Sequence, residues 1–144
     1  MMRMMMAVLA LIVAAPAAAQ TGDLPDWITG YWCFERGETK ACVRYDPPAN
    51  GQIRATNIRF DNGVASEGTT SITRVENGVL VKRGSNGSIL REVAHGPNWV
   101  EMDVLNPVPG QARRVRYSVE GDVLTLVFTV DGEAPSTQYY KREP

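Results

Sequence analysis

The stretch Trp32-Cys-Phe-Glu-Arg-Gly37-Glu38-Thr-Lys-Ala-Cys42 decides the first step of the fold. Gly37-Glu38 has the form of a two-residue hairpin turn with glycine in the first central position, as a type II′ turn requires. Counting outward, Arg36 faces Thr39, Glu35 faces Lys40, Phe34 faces Ala41 and Cys33 faces Cys42. The two cysteines then fall at a non-hydrogen-bonded pair, where Cα atoms lie roughly 4.5 Å apart. That spacing is within reach of a disulfide. The register therefore predicts a Cys33–Cys42 bridge. Metal binding would need three or four ligands, and the chain offers two Cys and one His.

The strand-and-turn grammar continues downstream. Asn-Gly occurs at Asn50-Gly51, Asn62-Gly63, Asn77-Gly78 and Asn86-Gly87, with Asp131-Gly132 and Gly121-Asp122 beyond. These dipeptides are the strongest short-range hairpin signal. They delimit strands at 30–36, 39–46, 51–60, 64–76, 79–84, 88–94, 98–105, 112–120, 123–130 and 136–142. Leu24-Pro-Asp-Trp27 precedes them as a short turn or 3₁₀ segment. Alternation is clear towards the C-terminus: Val100, Met102 and Val104 share a face, as do Val115, Tyr117 and Val119, and Leu124, Leu126, Phe128 and Val130. The expected fold is all-β, an antiparallel up-and-down meander of about 8–10 strands closed into a barrel. Asn106-Pro-Val-Pro-Gly110 is the least hairpin-like connection and is expected to bulge over one end.

Residues 56–73 are poor in large apolar groups on either face. Two readings stay open: a partly polar, hydrated lumen, or strands that meet solvent on a splayed side.

Residues 1–19 have the pattern of a cleaved signal peptide: Arg3, then the apolar Ala7–Ala15, then small residues before Gln20. Cleavage between Ala19 and Gln20 leaves a single domain, 20–144, and predicts a periplasmic or secreted protein. The apolar run 4–19 is short of the roughly 20 residues of a transmembrane helix. With 15 basic and 16 acidic residues the chain is near neutral. It lacks the basic surface that nucleic acid requires.

Trp27-Ile-Thr-Gly30-Tyr-Trp32 resembles the Gly-x-Trp signature of lipocalins and calycins. There the tryptophan closes one barrel end against a basic residue of the last strand, a part that falls here to Arg142 or Lys141. Over most of 20–144 the chain is similar to an exported bacterial lipocalin-like family, the DUF6265 type. Trp27, Gly30 and Trp32 carry the likeness, with Tyr45-x-Pro47-Pro48, Asn106-Pro107, Arg113-Arg114-Val115-x-Tyr117 and Gly121-Asp122-x-Leu124. Cys42 and Val43 stand where the family has two acidic residues. Pro109-Gly-Gln-Ala112 stands where it often has His-Asp-Phe-Pro. Whatever those family residues bind, this chain binds otherwise or not at all. The resemblance implies architecture more than function.

The chemistry-bearing residues are sparse. His95, the only histidine, reads as a surface loop residue, and no serine sits in an elbow motif. Glu101 and Asp103 share a face opposite Arg114 and Arg116; cross-strand ion pairing is the expected use, a charged lumen patch the alternative. No catalytic residue, metal ligand or cofactor is assigned. Aromatics are the candidates for recognition. Trp32, Phe34 and Tyr45 fall on the face of the first hairpin opposite the cysteines, the interior by the Gly-x-Trp analogy, and Tyr117, Tyr139 and Tyr140 are placed to join them.

The expected function is the binding of a small amphipathic or apolar ligand inside the barrel, without catalysis. The alternative is a protein–protein module, such as an inhibitor of a hydrolase. Tyr31-Trp-Cys-Phe-Glu-Arg-Gly37 resembles the start of periplasmic lysozyme inhibitors, over the first hairpin only. A binder should keep an open lumen, and an inhibitor should be filled and present a rigid loop.

Overall fold

In a computed structural model, which describes residues 24–144, ten antiparallel strands close into one barrel. They are β1 (Gly30–Arg36), β2 (Thr39–Tyr45), β3 (Gln52–Asp61), β4 (Val64–Glu76), β5 (Val79–Gly84), β6 (Ile89–Gly96), β7 (Trp99–Val104), β8 (Arg114–Glu120), β9 (Val123–Thr129) and β10 (Ser136–Glu143). Each strand pairs with its sequence neighbours, and β10 returns to pair with β1. Among the described residues closure pairs every strand on both sides, although 64–69 of β4 reach beyond β5. The proposed leader, 1–19, lies outside the described residues. Among the described residues no helix is long and apolar enough to cross a membrane.

The turns explain the meander. Asn62-Gly63 and Asn77-Gly78 have positive φ at both positions (50° and 77°, 50° and 80°), the backbone of a type I′ hairpin. Gly37 has φ 61°, and the register it sets pairs Cys33 with Cys42. The disulfide is formed, with Cα atoms 4.1 Å apart. The cysteines point outward and pack on Ile58, flanked by Tyr31 and Phe60.

The opposite face of the hairpin points inward. Trp32 is fully buried, with Ile53, Met102 and Leu124 among its companions in the core. The 3₁₀ turn Asp26–Ile28 lies across this end, and Ile28 is buried with the core. The Trp32 indole N–H donates to the Ile28 carbonyl at 2.8 Å, fastening the turn to β1. This end also carries the 77–78, 97–98 and 121–122 turns. The 37–38, 62–63, 85–87, 105–113 and 130–135 connections lie at the other end.

Both open readings of 56–73 apply, to different parts. Ser71 is buried in the barrel interior, with Asn57 and Thr69 at its mouth, whereas 61–68 are exposed and extend the β3–β4 hairpin into solvent. A register shift between Thr56 and Ile58 separates the two regimes. The 105–113 loop is pinned to the β5–β6 turn. The Asn106 amide accepts from the Ile89 N–H at 3.1 Å and donates to the Gly87 carbonyl at 2.9 Å.

Candidate functional site

The barrel core is packed around Trp32, with a cavity of about 330 Å³ beside the 3₁₀ turn at that end, and the barrel is open at the other end. The open half holds a cavity of about 330 Å³ that opens to solvent. Its apolar lining comes from Val43 of β2, Leu90 of β6, and Leu126 and Phe128 of β9. Polar side chains, Asn57, Thr69 and Ser71, share the lining, and Asn57 is the direct cross-strand neighbour of Val43. Asn57 donates its amide to the Thr69 hydroxyl at 2.7 Å. Past Asn57, Thr69 and Tyr140, which border both spaces, lies a further space of about 480 Å³ beside Arg59.

Lys82 lies between the lumen and the packed core, in contact with both. Strand alternation puts it there. In β5 it shares parity with buried Leu80, and its cross-strand neighbours are Thr73 and Leu90. The Lys82 ammonium donates to the Tyr117 hydroxyl at 3.2 Å. It also lies 4.9 Å from the Tyr117 ring centre and 5.8 Å from that of Tyr45. Among the described residues no carboxylate pairs with it. Burial works against the charged ammonium. The tyrosines Tyr117 and Tyr45 outweigh that and hold its pKa above the ordinary lysine value. Burial pushes the Tyr45 hydroxyl up to about 12, with Lys82 opposing. At neutral pH the lysine is therefore charged and Tyr45 is a neutral hydroxyl.

The aromatics expected inside divide. Trp32 is buried in the closed end, with no share in the open lumen. Tyr45 and Tyr117 line the cavity. Phe34 faces inward, half-buried, against Tyr140 with ring centres 5.4 Å apart. Tyr139 is a correction: it is 65% exposed on the outer face, and Tyr140 takes the inward place. Alternation requires this. Arg142 is the cross-strand partner of inward-facing Trp32 and stacks on it at the barrel end, with its guanidinium 4.1 Å from the ring centre. A residue three positions away must face out.

A further correction concerns His95. His95 is not in a loop but near the end of β6. A register shift between Glu92 and Ala94 lets His95 pair through Nδ1 with Glu92, which in a regular strand would face the other way. Glu92 also accepts from the Leu80 N–H at 3.0 Å. Both residues border a cavity at the closed end. Glu101 and Asp103 make the cross-strand ion pairing expected of them, and not the alternative lumen patch. Val100 and Met102 face in, and Arg114 bonds Asp103 at 2.6 Å and Glu101 at 3.3 Å outside. Arg116 lies over the Trp99 ring at 4.2 Å. Among the described residues no cluster of three His, Cys, Asp or Glu side chains has the arrangement of a metal site.

Sequence reasoning passed over Lys82. Its signal was available in Val79-Leu-Val-Lys-Arg-Gly84: if Leu80 faces in, Lys82 does too. A lone lysine in an alternating strand looks like an outward residue until the register is known. No protein-family model matches the chain, and no curated protein does.

Proposed function

We propose that this protein binds a small amphipathic molecule in its lumen and is a carrier or sensor of that molecule, not an enzyme. One observation carries the reading. The barrel is shut at one end by the 3₁₀ turn and Trp32, yet keeps a cavity of about 330 Å³ at the other. A barrel that only scaffolds a surface has no need of that space, and closely packed interiors leave little of it. The volume is at the low end of the roughly 300–1,000 Å³ of small-molecule sites. A lining that mixes apolar and polar side chains suits an amphipathic guest. The open lumen weighs against the inhibitor reading, which calls for a filled barrel.

The leader pattern of 1–19 and the disulfide support export to the periplasm or beyond. The Gly-x-Trp end, with Arg142 over Trp32, supports kinship with the DUF6265-type lipocalin-like family. Native mass spectrometry of the protein, recovered from its host with nothing added, tests the function. The expected result is a reproducible extra mass that is lost on denaturation. A clean mass, together with no response to added octanol or octanoate, would sink the reading.

A further inference from the structure

The lumen wall carries a charge that nothing in the wall neutralises. Among the described residues Lys82 is the only charged one lining the cavity, and Arg59 stands in the space beyond it. Among the described residues neither space has an aspartate or glutamate in its wall. This is a local property, because the whole chain has a net charge of −1. A partly desolvated ammonium without a counter-charge is costly. The tyrosine faces offset only part of that cost.

The groups around Lys82 complete the picture. A hydroxyl can accept from the ammonium and donate its own proton elsewhere. Tyr117 accepts from Lys82 at 3.2 Å, so its proton is free to point at a guest. Tyr45 and Ser71 add hydroxyls to the same cavity. Lys82 and Tyr45 both hold their protons at neutral pH. A charged ammonium is not a nucleophile, so the lysine serves a counter-ion and not an imine with an aldehyde.

We propose that the lumen takes an amphipathic anion. Its carboxylate or phosphate oxygens pair with the Lys82 ammonium and accept from the tyrosine hydroxyls. Its short apolar body lies against Val43, Leu90, Leu126 and Phe128. Arg59 draws the anion in. This rests on the lumen-binding reading above and specifies its ligand class.

Calorimetric titration with octanoate, octyl phosphate, octanol and octylammonium tests it. The acids should bind about tenfold or more tighter than octanol, as a charge-assisted hydrogen bond is worth. Octylammonium should not bind. Lys82→Met should cost the acids about tenfold or more and abolish their preference over octanol, while Lys82→Arg keeps most of the acid affinity. The ranking of octanoate against octyl phosphate identifies the headgroup. Octanol binding as tightly as both acids in the wild type would overturn the anion anchor and leave the lumen reading standing. Unchanged acid affinity in a folded Lys82→Met would do the same. Silence from all four probes would remove both. The wild-type comparison decides even if a variant fails to fold.

Discussion

The Arg142 guanidinium lies 4.1 Å over the Trp32 ring and at the same time donates to the Thr29 carbonyl at 2.9 Å. The last strand is thereby tied both to the first and to the turn that closes the barrel. Arg142→Ala should destabilise the fold by about 1–2 kcal/mol, since it removes a cation–π contact and leaves a carbonyl without its donor. Arg142→Lys keeps the charge but loses the flat stacked group, and should recover only part. Urea midpoints, with a red shift of tryptophan emission in the alanine variant, check this.

Gly30 makes that stack possible. Its φ is 145°, and a Cβ there would come within 2.5 Å of an Arg142 nitrogen. Gly30→Ala should cost about 1–3 kcal/mol through backbone strain and displacement of the guanidinium. Combined with Arg142→Ala it should cost less than the sum of the two, because part of the penalty is the lost stack. A double-mutant cycle in urea measures the difference.

The Cys33–Cys42 bridge closes a short loop, with a sequence separation of 9. Its removal by Cys33→Ser/Cys42→Ser should lower stability by about 2–3 kcal/mol on the chain-entropy account. The register is also held by the Gly37 turn, so the circular dichroism of the folded state should not change. A lost β signal would mean that the bridge, and not the turn, specifies the first hairpin.

Asp103 titrates below the ordinary carboxylate range, because Arg114 donates a hydrogen bond to its charged form; partial burial opposes this. A carboxyl whose pKa is lowered by folding adds stability above its unfolded value of about 3.9, and that stability is lost as pH falls through the folded value. Asp103→Asn should flatten the stability profile on the acid side. The Asp103 side chain is 34% exposed, so at neutral pH the cost should stay below about 1 kcal/mol.

Tyr45 should be the late tyrosine in an alkaline titration, ionising at about 12. Burial is the chief cause; Lys82 opposes it, and Tyr117 and Tyr140 add to it. The pKa is raised in the fold, so stability should fall as pH climbs from roughly 10, the unfolded value, towards 12. Ultraviolet difference spectra of wild type and Tyr45→Phe should differ by one late step.

Asn106 ties the loop before β8 to the β5–β6 turn at the open end. Asn106→Ala should cost about 1 kcal/mol and speed proteolytic nicking within 105–113. Asn106→Asp keeps the acceptor for Ile89 and should fall between. Equal nicking rates in all three would show that the prolines, not the amide, hold the loop.

Much of this architecture was determined by local sequence. Glycine and asparagine at turn positions permit the positive φ that a tight hairpin needs, so the strand limits, the Gly37 register and the disulfide followed from counting. Alternation then decided which face of the later strands was apolar. Tertiary structure decided what short-range rules cannot reach. Closure of β10 on β1 places Arg142 over Trp32, and that single register sends Tyr140 inward and Tyr139 out. A bulge in β6 joins His95 to Glu92. The lumen exists because side chains from β2, β5, β8 and β9, far apart in sequence, do not fill the open half of the ring they form. Only there does Lys82 become a charge facing a cavity, because its partners are chosen by closure and not by its neighbours in the chain.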